Sequence, residues 1–212
     1  MKRKFPIILI ILLCINVLQA QPVDYKEVTA TQTAALLEEI AQNAKAIQSL
    51  QADFTQEKRL TYLTETQTSK GIMYYKNANL LRWEYQTPKA FSFILNNSKI
   101  VMKDDKGTMQ YNANSNKSFK AMSEMILGMI NGSSIQNSAT FNTALYSNGK
   151  QTLVKLIPVQ KELKKMFQEV LLYFNQDYTA SKIEMIETSG DKTTISFSVV
   201  KKNITLSDTL FK

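Results

Sequence analysis

The sequence predicts an α+β domain, mainly β, in which a long N-terminal helix precedes a curved antiparallel sheet and a central helix interrupts the strand order. Three observations predict it. Apolar residues recur at three- and four-residue steps from Thr31 to Leu50. From Ala52 the period changes to two, in short runs separated by turn residues. Helical spacing then returns between Ser115 and Ile130 before strands resume.

The chain opens on Lys2, Arg3 and Lys4, and Phe5 to Leu18 is almost wholly apolar, with the small residue Ala20 just ahead of Gln21. That run falls short of the about 20 residues a membrane span needs. Its flanks match a cleaved export leader over residues 1–20. Cys14 follows Leu12 and Leu13, whereas a lipidation site wants small residues there, so it reads as filler of the leader. The remaining chain then holds no cysteine and no disulfide. Residues 21–212 have the length of a single domain, without repeat or linker, and residues 21–30 read as a loose segment.

In the first helix Ala34, Leu36, Leu37, Ile40, Ala44, Ile47 and Leu50 share one face. Glu38 and Glu39 are expected near its start, where acid suits the helix dipole. Strands are expected at Gly71–Lys76, Leu80–Tyr85, Phe91–Leu95, Lys99–Lys103 and Thr108–Tyr111. Turn material such as Asn96-Asn97-Ser98 and Asp104-Asp105-Lys106-Gly107 separates them. Such spacing indicates an antiparallel barrel or sandwich. In the central helix Phe119, Met122, Met125, Ile126, Met129 and Ile130 recur at helical steps; Gly128 is expected to interrupt it, and Asn131-Gly132-Ser133-Ser134 to end it. Further strands follow at Phe141–Tyr146, Leu153–Ile157, Phe167–Phe174, Lys182–Glu187, Thr193–Val200 and Ile204–Phe211, with Asn148-Gly149 as a hairpin turn.

The chemistry the sequence lacks narrows its function. There is no histidine, and Cys14 is the one cysteine. The usual general base, thiol nucleophile and soft metal ligands are therefore missing, and a Ser-His-Asp triad cannot be assembled. The six glycines are dispersed, so no phosphate-cradling loop exists. Asp104, Asp105 and Glu84 read as solvated carboxylates rather than a catalytic pair. The net charge of +8 includes three leader cations, and the other lysines are scattered among acids. That is not the basic stripe of a nucleic-acid binder. The sequence implies neither an enzyme nor a cofactor, metal or nucleic-acid partner.

What it offers instead is apolar surface. Leu81, Trp83 and Tyr85 share one side of a strand, with Arg82 and Glu84 on the other. Gly71–Tyr75 and Phe167–Phe174 are greasy on both sides, Phe167 being expected opposite Val170, Leu172 and Phe174. Strands of that kind must be covered twice, for instance by a helix outside and by a ligand or lid inside. Met122, Met125, Ile126 and Met129 share a face of the central helix. Flexible, polarisable methionines suit a lid that accepts tails of variable shape, and equally an ordinary core.

The run Ser49-Leu50-Gln51-Ala52-Asp53-Phe54-Thr55-Gln56-Glu57-Lys58 resembles the opening signature of the LolA outer-membrane lipoprotein carriers. Gly71–Lys76, Leu81–Tyr85, Thr87-Pro88 and the closing Leu206–Phe211 follow in that family's order. The resemblance implies an unclosed antiparallel β-barrel with a helical lid over its concave face. It implies a monomeric periplasmic carrier that takes acylated lipoproteins from an ABC-type inner-membrane transporter and passes them to an outer-membrane acceptor. By the same resemblance Met73, Tyr75, Leu81, Trp83, Tyr85, Phe91 and Phe93 would form the acyl-chain cavity, under a lid of Met122, Met125, Ile126 and Met129. Two positions depart from the family. Asn77 and Ala78 stand where an Arg-Pro pair helps hold the lid, and strand alternation turns Arg82 away from Trp83. Val101 and Met102 replace an aromatic pair. Two other readings stand beside this one: an exported half-barrel for free lipids or glycolipids, and a non-catalytic interaction domain with a filled core.

Overall fold

A computed structural model describes residues 24–77 and 79–212. The leader expected over residues 1–20 lies outside the described residues, as does Ala78. In chain order the elements are β1 (Lys26–Glu27), α1 (Ala30–Lys45), β2 (Ser49–Arg59), β3 (Thr66–Lys76), β4 (Leu80–Thr87), β5 (Phe91–Asn96), β6 (Lys99–Asp104) and β7 (Gly107–Asn112). After them come α2 (Lys117–Ile130), β8 (Phe141–Ser147), β9 (Thr152–Pro158), the single turn α3 (Lys161–Lys164), β10 (Phe167–Phe174), β11 (Ala180–Glu187) and β12 (Lys192–Lys202).

All twelve strands join one antiparallel sheet, ordered β1-β8-β9-β10-β11-β12-β2-β3-β4-β5-β6-β7. No pairing joins β7 to β1, so the sheet curls without closing. Nearly every step is a hairpin between chain neighbours. The exceptions are β1, which pairs with the distant β8, and the seam where β12 returns beside β2, pairing Phe197 with Phe54 and Ile195 with Gln56. Both α1 and α2 lie on the concave side of this trough.

Several expectations change. The first helix ends at Lys45, and Leu50 belongs to β2. Its three- to four-residue spacing from Ile47 mimics another helical turn, but the chain has already become extended at Ser49. Glu38 and Glu39 fall in the middle of α1, and its first turn holds no acid. Gly128 does not break α2. A Cβ there would sit 1.8 Å from Ser134 Oγ, so glycine lets the following loop fold back on the helix. Asn116 caps α2, its side chain accepting from the backbone N–H groups of Ser118 and Phe119 at 2.8 and 3.3 Å. Part of the loose N-terminal segment is ordered, as β1 beside β8.

The C-terminal stretch Ile204–Phe211 is not a strand. It runs irregularly and ends in a 3-10 turn over Asp208–Phe211. Its Leu206 and Phe211 pack with Ile94 and Val101 on the convex face, flanked by Tyr74 and Leu80. This tail, rather than a helix, is the outer cover of the two-sided strand β3. Phe167 also departs from simple alternation. A register shift between Phe167 and Glu169 turns it to the same side as Leu172 and Phe174.

Candidate functional site

Side chains on the concave face line up in rows across the strands, because directly paired residues of a pleated sheet point to the same side. One row runs Phe197, Phe54, Gly71, Tyr85 and Phe91. The next runs Ala52, Met73, Trp83, Phe93 and Met102. The third runs Leu50, Tyr75, Leu81, Leu95 and Ile100. The strand parity read for Leu81, Trp83 and Tyr85 puts each of them in one of these rows.

Between the rows and the two helices lies a cavity of about 780 Å³. Met73, Leu81, Trp83, Tyr85, Phe91 and Phe93 line it from the sheet. Met122, Met125, Ile126 and Met129 line it from α2. Tyr75 does not reach it. Although it shares their face, it is 2% exposed and packed into the core row below the helices. Parity tells which side a residue faces, not how far the helix above it stands off. The sequence reading missed the opposite wall, where Ile183, Met185, Ile195 and Phe197 complete the lining, and the roof residues Ile40 and Ala44 of α1 with Ile47 just beyond it. Their alternation in β11 and β12 was legible, but the resemblance drew attention to the first half of the sheet.

The two roof helices are attached differently. The Tyr178 hydroxyl donates to the Glu39 carboxylate, fixing α1 to the β10–β11 turn. Gln136 donates to the Leu37 carbonyl at 3.2 Å and to Glu38 at 3.3 Å. Gly132 lies so close that a Cβ would be 3.0 Å from the Ala44 methyl. The loop after α2 is thereby packed onto α1. Helix α2 itself rests on apolar contact. Among the described residues no side-chain hydrogen bond or ion pair joins it to a strand; its one ion pair, Lys120 to Glu124 at 3.8 Å, is internal.

Polar groups border the cavity at both ends: beside Leu50, Lys202 donates to the Thr179 hydroxyl and pairs with Asp177 at 3.5 Å, and the other polar end is reached along β2. Along the concave side of β2 the residues change from Leu50, Ala52 and Phe54 to Gln56 and then Lys58. Lys58 pairs with Glu187 at 3.0 Å, and both border the cavity with Thr188, Ser189 and Lys165. The Tyr85 hydroxyl donates to Gln56 Oε1 at 2.9 Å. Burial raises the Tyr85 hydroxyl above the ordinary phenol range, with Gln56 and the neighbouring Trp83 opposing that rise. The Trp83 indole N–H is shielded from solvent and completes no hydrogen bond of its own.

The carboxylates set aside above have other tasks. Asp104 accepts from the backbone of Lys106 and Gly107 in its turn, at 2.9 and 3.0 Å. Glu84 pairs with Arg82 at 2.6 Å on the convex side. Arg82 also donates to the Leu210 carbonyl at 3.3 Å, so it holds the C-terminal tail on the face opposite α2.

Among solved structures, a LolA superfamily protein from Nitrosomonas europaea aligns over 83% of this chain and 97% of its own, at 11% identity and a TM-score of 0.45. The Mycobacterium tuberculosis lipoprotein LppX covers 84% of this chain and all of its own, at 8% identity and TM-score 0.48. LprF from Mycobacterium bovis covers 84% and 97%, at 11% identity and TM-score 0.44. No curated protein matches the chain. The family model described as outer membrane lipoprotein carrier protein LolA matches residues 45–212, from the end of the first helix to the last residue, and the chain belongs to that family.

Proposed function

We propose that this protein is an exported carrier that holds the acyl chains of lipoproteins in its concave cavity and ferries them across the periplasm from the inner to the outer membrane. The observation that carries the reading is the hollow itself, roofed by a helix gripped only through apolar contact, in a chain of the lipoprotein-carrier family. In this reading the leader directs export and is removed. An ABC-type transporter loads the carrier, and an outer-membrane acceptor unloads it. Among the described residues no helix is long and apolar enough to cross a membrane.

The volume bounds the cargo. A methylene group fills about 25 Å³ at organic-crystal packing density, so the cavity takes roughly two chains of about sixteen carbons. Cargo with more tails fits only if α2 moves outward. Each methylene withdrawn from water contributes about 0.8 kcal/mol, so two full chains would exceed the practical ceiling near −20 kcal/mol and could not be released. Competition lowers that figure. The Met122, Met125, Ile126 and Met129 side chains cover the same wall when tails are absent, and displacing them offsets part of the gain. Methionine suits the exchange, since it repacks against either partner.

The test is capture. Purified protein lacking residues 1–20 is added to spheroplasts, and the released material is examined for acylated proteins bound one to one. Soluble complexes with acylated lipoproteins are expected. Recovery of free lipids alone would replace the carrier reading with a lipid-binding one, and recovery of nothing would remove both.

A further inference from the structure

The cavity is not uniformly apolar, and its two polar ends differ in which groups they leave unpartnered. Three polar side chains, Gln56, Tyr85 and Trp83, meet in the wall between the greasy interior and the ionic rim at Lys58 and Glu187. The Trp83 N–H can only donate, and it lies beside the Tyr85 oxygen. The Tyr85 hydrogen goes to Gln56 Oε1 at 2.9 Å. One lone pair of the Gln56 carbonyl oxygen is thus used, while its NH₂ group has no partner among the described residues and Gln56 borders the cavity. The cluster leaves two donor groups unused, the Trp83 N–H and the Gln56 NH₂. A ligand that satisfies it must bring an acceptor and no charge is needed to do so.

Resting on the carrier reading, we infer that Gln56, positioned by Tyr85 and Trp83, binds the ester or amide carbonyl at the head of an acyl chain, which fixes the tails in one orientation with heads toward the Lys58–Glu187 rim and methyl ends toward Leu50 and Ile47. The alternation along β2 supports that direction. Its apolar concave residues Leu50, Ala52 and Phe54 come before Gln56, and its first charged one, Lys58, comes after. A head placed at the opposite end would meet Ile47, Leu50 and Val200, and the polar groups there are engaged with one another, Lys202 donating to Thr179 and pairing with Asp177 at 3.5 Å, whereas the Gln56 NH₂ has no partner among the described residues. The cluster therefore selects acyl lipids over hydrocarbons or ether-linked lipids of equal length, a discrimination that an oily pocket alone cannot supply.

The experiment displaces an apolar dye from the protein lacking residues 1–20 with two glycerol lipids matched in chain length, one diacyl with ester links and one dialkyl with ether links. The ester is expected to bind about fivefold tighter, the scale of one neutral hydrogen bond. Gln56→Leu is expected to bring the ratio to about one while ether binding persists. Equal affinities in the unaltered protein, or a ratio that survives Gln56→Leu, would overturn the inference and leave the carrier reading standing. Displacement by neither lipid would remove both. Trp83 is the sole tryptophan, so its emission gives an independent check on orientation that needs no variant. A fatty-acid ester carrying a nitroxide near its ester end should quench it more than one carrying the nitroxide near its methyl end. The reverse order would overturn the inference.

Discussion

Phe54 and Tyr85 stand edge to face, with ring centroids 5.2 Å apart and planes at 86°, on either side of Gly71 in the same cross-strand row. Gly71 has no alternative there. A Cβ would sit 1.9 Å from the Glu84 carbonyl oxygen and 2.8 Å from the Phe54 ring. Such a pair contributes about 0.5–1.5 kcal/mol beyond its buried area. Gly71→Ala is expected to cost about 1–3 kcal/mol by forcing strands apart, read as a lower urea midpoint, with Tyr85 and Trp83 displaced and dye binding weakened in parallel.

Cargo retention is best probed from the lid. Leu81 is fully buried, so Leu81→Glu would unfold the sheet rather than report on binding. Met122 is half-buried and borders the cavity from α2. Met122→Glu should leave the circular dichroism spectrum and melting temperature nearly unchanged while affinity for an acylated peptide falls about tenfold, the effect of placing a carboxylate against a tail. Unchanged affinity would mean that α2 does not touch the cargo.

Acid should loosen the sheet away from the cavity. Glu184 is buried, which alone would raise its pKa, but hydrogen bonds from Lys192 and Lys182, each at 3.0 Å, outweigh burial and hold it below the ordinary value of 4.5. A carboxyl lowered in the folded state stabilises fully above its unfolded pKa, and that contribution disappears as pH falls through the folded value. Stability should therefore drop below about pH 4.5. Glu184→Gln should be less stable at neutral pH and should show a shallower acid limb in urea titrations at successive pH values.

Helix α1 has a polar latch that α2 lacks. Tyr178→Phe removes the hydroxyl that donates to Glu39 and keeps the ring against the core. Amide exchange should quicken in α1 from Leu36 to Ala44 and remain slow in β2, β3 and β12. Equal protection in both proteins would show that packing alone seats the helix.

Much of this was legible before the fold. Alternation in Leu81-Arg82-Trp83-Glu84-Tyr85 assigned faces correctly, because one-step parity is a property of the strand itself. The Met122-to-Met129 stripe likewise marked the cavity side of its helix. Depth was not legible: Tyr75 obeys the same parity as Leu81 and still misses the hollow, since the stand-off of the helices is a tertiary quantity. The C-terminal Ile204–Phe211 segment misled because side-on burial against Ile94 and Val101 demands the same aliphatic residues as a strand. The Gln56–Tyr85 contact spans 29 residues and two strands, and no local pattern announces it.

The most direct measurement follows the emission of Trp83 while the protein lacking residues 1–20 is titrated with a diacylated lipopeptide and, separately, with the same peptide bearing no acyl chains. Entry of tails into the cavity predicts a saturable change at one-to-one stoichiometry with the lipopeptide and none with the bare peptide. Identical responses to both, or no response to either, would contradict the claim that this hollow houses acyl chains.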